Sequence, residues 1–282
     1  DTWIIWHLTK GKVFATDLTN ASRTNLFNIK DLKWDDDLLD LFGVNKSILP
    51  DVQESDGFYG KSELLKRKIP IYGVIGDQQS AAIGQKCFDA GDIKSTYGTG
   101  CFVIQNTGKE IAYSKNKLLS TIAYKVKGET AYALEGSIFM AGAIIDWLKN
   151  NLQVYDNYHE LDNILINSEI NPEVVMVPAF TGLGAPHWKP DSRASISGLT
   201  RDTNKNDIIV ASIQSVSLQT YDLIKAINED THDLFKKTLE GIRVDGGMTD
   251  NQWFLQNLSD ICETKIIKSS EQEATALGAA TL

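Results

Sequence analysis

Several protein classes are made poor fits by what this chain of 282 residues has little of. Its three cysteines, Cys87, Cys101 and Cys262, are odd in number and widely spaced. That argues against a disulfide framework or a cysteine zinc site and suits the reduced thiols of the cytoplasm. No run of 18 apolar residues occurs, so no segment reads as a membrane-spanning helix, and the opening DTWIIWHLTKGK has the wrong charge order for a signal peptide. Positive charge is in deficit: 28 Lys and Arg against 37 Asp and Glu, a net charge of -9. Nucleic acid and anionic membranes are therefore poor partners, whereas an anionic small ligand can still meet a locally positive site. Neither the Walker pattern GxxxxGK[ST] nor the dinucleotide pattern GxGxxG is present. There is no repeat of solenoid period and no low-complexity tract.

What is there is a chain long enough to bury a sizeable core and, as a first expectation, to form two domains. Asp1 falls in an amphipathic helix already under way, and SSEQEATALGAATL at the other end is a small-residue helix without a stop, so both ends read as cut from something longer. The segment DDDLLDLFGV reads as a helix and Phe58 to Lys68 as a basic surface loop. From Ile69 to Ile75 a strand is expected, and beyond it strands and helices alternate. Asp92 to Thr107 reads as a hairpin turning at YGTG, and Thr121 to Tyr132 as two strands around Lys127 and Gly128. Apolar Ile138, Ala141, Ile145 and Leu148 predict a helix over Glu135 to Leu152. Val174 to Phe180 is an expected buried strand and Asp207 to Asn228 a long amphipathic helix. Gly241 to Val244 is an expected strand, with a helix over Thr249 to Cys262 behind it. Such alternation defines an α/β protein of layered sheets and helices.

Glycine punctuates these elements at YGTGCF (97 to 102), EGSIFMAGA (135 to 143) and VDGGMTDNQWF (244 to 254). Each serves either as a plain tight turn or as a place where backbone approaches a ligand closely. The VDGG turn is the sharpest, because a helix N-terminus behind it would offer free N–H groups to an anion. A further anomaly is GVIGDQQSAAIG, residues 73 to 84, which places Asp77 where the pattern calls for an apolar residue. Burying an unpaired carboxylate costs several kcal/mol, so Asp77 needs a partner or a purpose. One purpose is structural, since Asp is a favoured N-cap for a helix over Gln78 to Gly84.

At this point the residues carry a resemblance. GDQQSAAIGQKCFDAGDIKSTYGTGCFVIQNTG resembles the corresponding stretch of the FGGY family of carbohydrate kinases. So do TDLTNASRTNLFNI, ALEGSIFMAGAIIDWL, AFTGLGAPHWKPDSRASISGLTRDTNK and RVDGGMTDNQWFLQNLSDI, in the family's order over nearly the whole chain. TDLTNASRT, GDQQ and STYGTGCF point within the family to the members that phosphorylate glycerol. The resemblance implies an actin-like ATPase (ribonuclease H-like) fold of two domains, here residues 1–86 of an incomplete first domain and residues 87–282 of a second. It implies ATP and Mg²⁺ as cofactors, and glycerol and ATP/ADP as small-molecule partners, with neither nucleic acid nor membrane insertion. A homo-oligomer is left open.

The same resemblance implies residue roles. Asp77 is the catalytic base, accepting the proton of a substrate hydroxyl as its oxygen bonds to phosphorus. Gln78 contacts the polyol, and Phe102 packs on its carbon backbone, though Phe102 reads equally well as core. Gly98 and Thr99 lie at the terminal phosphates, Gly142 touches the nucleotide, and Gly247 and Asn251 mark its adenosine end. No metal ligand is expected within this chain. Three departures qualify the likeness. Asp146 stands where glutamine is common in the family. The loop FYGKSELLKRKIP lacks a Gly-Gly pair, leaving Lys66, Arg67 and Lys68 as anion contacts or simply as a solvated basic loop. The family's N-terminal segment, with its metal-binding aspartate and its Arg-Glu polyol clamp, lies outside these residues. Apolar faces such as Trp3, Ile4 and Trp6 are therefore expected to be uncovered, and the alternatives are an inactive remnant with at most nucleotide binding, or a kinase of another small polyol or sugar.

Overall fold

The computed structural model describes residues 1–64, 67–234, 240–271 and 273–282; Lys66 lies outside them. Helix α1 (Thr2–Leu8) leads to strand β1 (Ala15–Asp17), helix α2 (Leu18–Ala21), the ladder β2 (Phe27–Asn28) with β3 (Lys33–Trp34), and helix α3 (Asp36–Phe42). Strand β4 (Asp51–Gln53) pairs in parallel with β1, and β5 (Lys61–Ser62) pairs with β6 (Ile69–Pro70). The expected strand over Ile69 to Ile75 is thus cut to two residues. Pro70 gives no N–H to a ladder, and Gly73 turns to φ +33, where a Cβ would meet the Ala279 carbonyl at 2.5 Å. The expected surface loop from Phe58 also hides a core residue. Tyr59 is fully buried against Ile5, Ala15 and Val74, its hydroxyl donating to the Glu54 carbonyl at 2.8 Å. Trp3, Ile4 and Trp6 are exposed.

Helix α4 (Asp77–Gly84) then leads into the hairpin β7 (Ile93–Tyr97) and β8 (Cys101–Gly108), followed by β9 (Leu119–Val126) and β10 (Glu129–Ile138). Lys127 and Gly128, at φ 51 and 81, make the two-residue turn between β9 and β10, the handedness that suits twisted strands. Helices α5 (Gly142–Asn150) and α6 (Tyr158–Asn167) come next, then the pair β11 (Val175–Val177) and β12 (Ser195–Ser197). The long helix α7 (Lys205–Thr231) starts in a capping box of Asn204 and Asp207. It precedes β13 (Ile242–Asp245), α8 (Gln252–Cys262), β14 (Ile266–Lys268) and α9 (Ala274–Thr281).

Among the described residues six strands form one mixed sheet in the order β14-β13-β7-β8-β10-β9. Its β14, β13 and β7 run parallel and the rest antiparallel. Alternation along β7 assigns its side chains to two faces. Ile93 and Tyr97 join the main core beneath α7 and α8, with Val103, Val244, Leu223 and Phe254. Lys94 and Thr96 turn the other way, toward α4. On that side α4 crosses α9 at close range: a Cβ on Gly84 would fall 2.0 Å from the Ala274 carbonyl, and one on Gly278 would fall 1.8 Å from that of Ser80.

The expected helix over Glu135 to Leu152 is corrected. Residues through Ile138 continue β10, with Ile138 opposite Cys101, and the helix begins only at Gly142. The helical spacing of Ile138 with Ala141 is coincidental, because Glu135 to Ile138 are held in register by β8, with Glu135 paired to β9 as well. The expected strand over Val174 to Phe180 shortens to β11, while the helix expected from Asp207 to Asn228 lengthens to Lys205–Thr231.

Candidate active site

Asp77 is not the cap of its helix. Gly76 holds the N-cap position, and Asp77 is the first helical residue. Nor is it buried: its carboxylate is exposed, so the desolvation cost anticipated for it does not arise. Its Oδ1 accepts the Gln78 backbone N–H at 2.8 Å and its Oδ2 accepts Gln78 Nε2 at 3.3 Å. A carboxylate has about four lone-pair directions, so acceptor capacity remains toward solvent. The N-terminal turn of a helix also favours negative charge. Gly76 is fixed from below, its N–H donating to Thr19 Oγ1 at 2.8 Å. Thr19 in turn donates its hydroxyl to Asp17 at 2.7 Å, so the N-terminal region sets the height of Asp77.

Gln78 reaches back into the protein. Its Oε1 accepts from Lys94 Nζ at 2.5 Å, and the same ammonium donates to Thr96 Oγ1 at 2.9 Å. Lys94 is fully buried, and that burial pulls its pKa below the ordinary lysine range, opposed by attraction to Asp245 and Glu135. Asp245 lies opposite Thr96 in the parallel register and is buried, with Oδ1 lacking a hydrogen-bond partner. Phe102 is opposite Thr96 on the other side and is 38% exposed, which takes it out of the core. Residues directly opposite in a ladder share a face. Phe102, Thr96, Lys94 and Asp245 thus lie on the sheet face that carries Gln78.

The remaining candidates meet elsewhere. Gly98, Thr99, Gly142, Gly247 and Asn251 all line one cleft of about 510 Å³, floored by apolar Ile145, Leu161, Ile213 and Phe254. Asp77, Gln78 and Phe102 are not in its wall. The glycines are there for distinct reasons. Gly142 N–H donates to the Gly98 carbonyl at 2.8 Å, and a Cβ on it would fall 2.6 Å from that oxygen. Gly246 sits at φ +92 with its Cβ position 2.3 Å from the Tyr97 carbonyl, whereas Gly247 faces open space.

The helix expected straight after VDGG is displaced. A short 3₁₀ turn (Gly247–Asp250) intervenes, and α8 starts at Gln252. Asn251 is its N-cap, Oδ1 accepting from Phe254 N–H at 2.7 Å while Nδ2 donates to Asp162 Oδ1 at 2.6 Å. The free N–H groups anticipated behind VDGG are therefore partly taken by Asn251.

Sequence reasoning missed Lys94 and Asp162. Lys94 had a signal, a lysine in the middle of IKSTY, a strand with core residues around it. Asp162, on α6, had none. Asp146, set aside as a departure, lines the cleft.

A mixed sheet with helices on both faces, glycine turns at one end and a cleft above β7 and β13 is the arrangement of the actin-like ATPase fold. The chain belongs to the FGGY family of carbohydrate kinases: the family's N-terminal domain model matches residues 1–84 and its C-terminal domain model residues 93–282. It is 48% identical over 284 aligned residues to a glycerol kinase of Sinorhizobium fredii, covering 100% of this chain and 57% of that protein. It is also 48% identical to glycerol kinase 1 of Pseudomonas aeruginosa, covering 99% of this chain and 56% of that protein. The chain therefore spans little more than half the length of these relatives. Among solved structures it matches Plasmodium falciparum glycerol kinase with ADP, at TM-score 0.90 and 42% identity over 99% of this chain and 56% of that one. A xylulose kinase from Lactobacillus acidophilus matches at TM-score 0.85 and 22% identity, over 99% of this chain and 56% of that one, a likeness of fold alone.

Proposed function

We propose that the protein carrying this chain transfers the γ-phosphoryl group of ATP to glycerol, with residues 1–86 and 87–282 contributing to the two lobes of the site. The observation that supports this most directly is the 48% identity to glycerol kinases, extending over the whole chain. In this reading Asp77 accepts the proton of the attacking hydroxyl, for which a free carboxylate lone pair within hydrogen-bond reach is required. Gln78 Nε2 donates to a polyol oxygen, and the exposed ring of Phe102 packs on the carbon chain. The turn at Gly98 and Thr99 faces the terminal phosphates, Gly142 the nucleotide, and Gly247 and Asn251 the adenosine end of the cleft. The open space above Gly247 leaves room there, and the apolar floor suits a base, as small-ligand sites commonly do.

Phosphoryl transfer is otherwise positioning and neutralisation of charge, and Mg²⁺ supplies part of the latter when bound. Among the described residues no three or more His, Cys, Asp or Glu side chains gather to cage a metal. Mg²⁺ carried on nucleotide phosphates needs only one or two protein carboxylates.

The test is glycerol-dependent ADP release by the full-length protein, measured beside erythritol, xylulose and gluconate. A clear preference for glycerol is expected. Preference for a sugar or sugar acid would overturn the substrate while leaving the kinase class standing.

A further inference from the structure

Lys94 is buried without a salt-bridge partner among its hydrogen bonds: Nζ donates to the amide oxygen of Gln78 and the hydroxyl of Thr96. Burying an ammonium this way is costly, and it has a specific consequence. A lysine ammonium only donates. Whatever lies against it must present an acceptor, so Lys94 selects one orientation of the Gln78 amide out of two. With Oε1 held inward, Nε2 must point outward, and there it donates to Asp77 Oδ2. Without Lys94 only that long contact at 3.3 Å orients the amide, which is then free to tilt away from the substrate side.

We propose that Lys94 is a positioning residue of the phosphoryl-acceptor site, acting through Gln78 to keep an N–H donor beside Asp77 and toward the substrate oxygens. This rests on the reading of Asp77 and Gln78 as the acceptor end of a glycerol kinase. The position on the sheet fits the role: Phe102 and Thr96 share the face of Lys94, and the nucleotide cleft is lined without it. The competing role is structural, with Lys94 serving only as the buried counter-charge of Asp245.

The experiment separates the two in the full-length protein. Lys94→Met is expected to lower kcat/KM for glycerol roughly 10- to 100-fold, the scale of a misplaced reacting group, with KM for ATP within about twofold of wild type. The Lys94→Met/Asp245→Asn double variant removes both charges. It is expected to recover the melting temperature lost in the single variant but not kcat/KM for glycerol. On a Gln78→Leu background, Lys94→Met is expected to add little further loss, because both act through one group. Recovery of glycerol kinetics in the double variant, or full additivity with Gln78→Leu, overturns the proposal. So does Lys94→Met with wild-type glycerol kinetics while Asp77→Asn is inactive, an outcome that leaves the glycerol kinase reading intact. A wild-type protein that phosphorylates no glycerol overturns that reading and this inference with it.

Discussion

The two faces of the six-stranded sheet are built from the same strands and carry opposite chemistry. Beneath α7 and α8 the face is apolar, with Ile93, Tyr97, Val103, Ile242 and Val244 in one continuous core. Toward α2 and α4 it presents Lys94, Thr96, Glu135 and Asp245, three of them charged and all buried or half-buried. The apolar face needs nothing from the N-terminal region. The polar face is completed by it: Gln78 satisfies Lys94, and Arg23 forms a two-point pair with Glu135 at 2.8 Å for both bonds. The cleft at Gly98, Gly142 and Gly247 thus belongs to one packed body, whereas Gln78 meets Lys94 where two regions come together. Disturbing the polar face should therefore alter catalysis and docking, and disturbing the apolar face should alter folding and nucleotide binding.

The sharpest break in that comparison is at Asp77. Asp77→Asn keeps the size of the side chain and its contact with Gln78 N–H but removes the carboxylate proposed as the base. Turnover in the full-length protein should fall ~10²–10⁴-fold, while KM for ATP stays within about twofold, because the cleft is lined without Asp77. Near-normal turnover would reduce Asp77 to a surface residue of α4.

Two thiols report on the faces separately. Cys87 follows α4, and Cys101 lies in the main core; burial pushes both thiols up to about 12 from 9.0. At pH 8 a shift of that size leaves about a thousandfold less thiolate, the reactive form. Both should therefore label far more slowly with iodoacetamide in the native chain than in the unfolded one, as followed by mass spectrometry. In mild denaturant Cys87 should label first, because it lies outside the main core that holds Cys101. Simultaneous labelling would mean that the faces open together.

Much of this division was readable in advance, and its failures have physical causes. The hairpin turning at YGTG, the turn at Lys127 and Gly128 and the long helix α7 follow from local pattern and turn chemistry. The end of β10 does not, because Glu135 to Ile138 have no local feature that sets strand against helix. What decides is pairing with β8 and the docking of α5 on the turn before it, where Ala141, Gly142 and Ala143 N–H groups bond the carbonyls of Gly98 and Thr99. Alternation along β7 sets Lys94 and Thr96 on one face, but the partner of Lys94 comes from a different element and no period in the chain predicts it. The candidate site residues came only from the family resemblance, since Gly98, Gly142 and Gly247 are far apart in sequence and each alone reads as a turn; the structure brings these three to one cleft.

A smaller effect is expected where the N-terminal region grips the polar face. Arg23→Met leaves the Glu135 carboxylate, only 4% exposed, without its partner. Breaking a fully buried pair costs about 3–5 kcal/mol. Arg23 is itself 40% exposed, so about 2–3 kcal/mol is expected, read from the urea midpoint. Arg23→Met/Glu135→Gln should recover part of it. No change in the single variant would show that the two regions dock without this pair.

The least effect on folding, and the finest test of the comparison, is at Asn251, which does two things at once. Its Oδ1 caps α8 and its Nδ2 faces Asp162 at the rim of the cleft. Asn251→Ala removes both, and loss of the cap alone should cost about 1 kcal/mol of stability. Asn251→Asp separates them, because aspartate caps as well as asparagine but has no N–H to donate. It also sets a second carboxylate against Asp162. Stability should therefore return most of the way in Asn251→Asp, apart from that repulsion, which is weak because Asp162 is exposed. KM for ATP should rise in both variants, by about tenfold if one donor to the nucleotide is lost. Should Asn251→Asp restore KM together with stability, Asn251 would be a cap and nothing more. The adenosine end of the cleft would then be defined by shape and the open space above Gly247 rather than by a donor on α8.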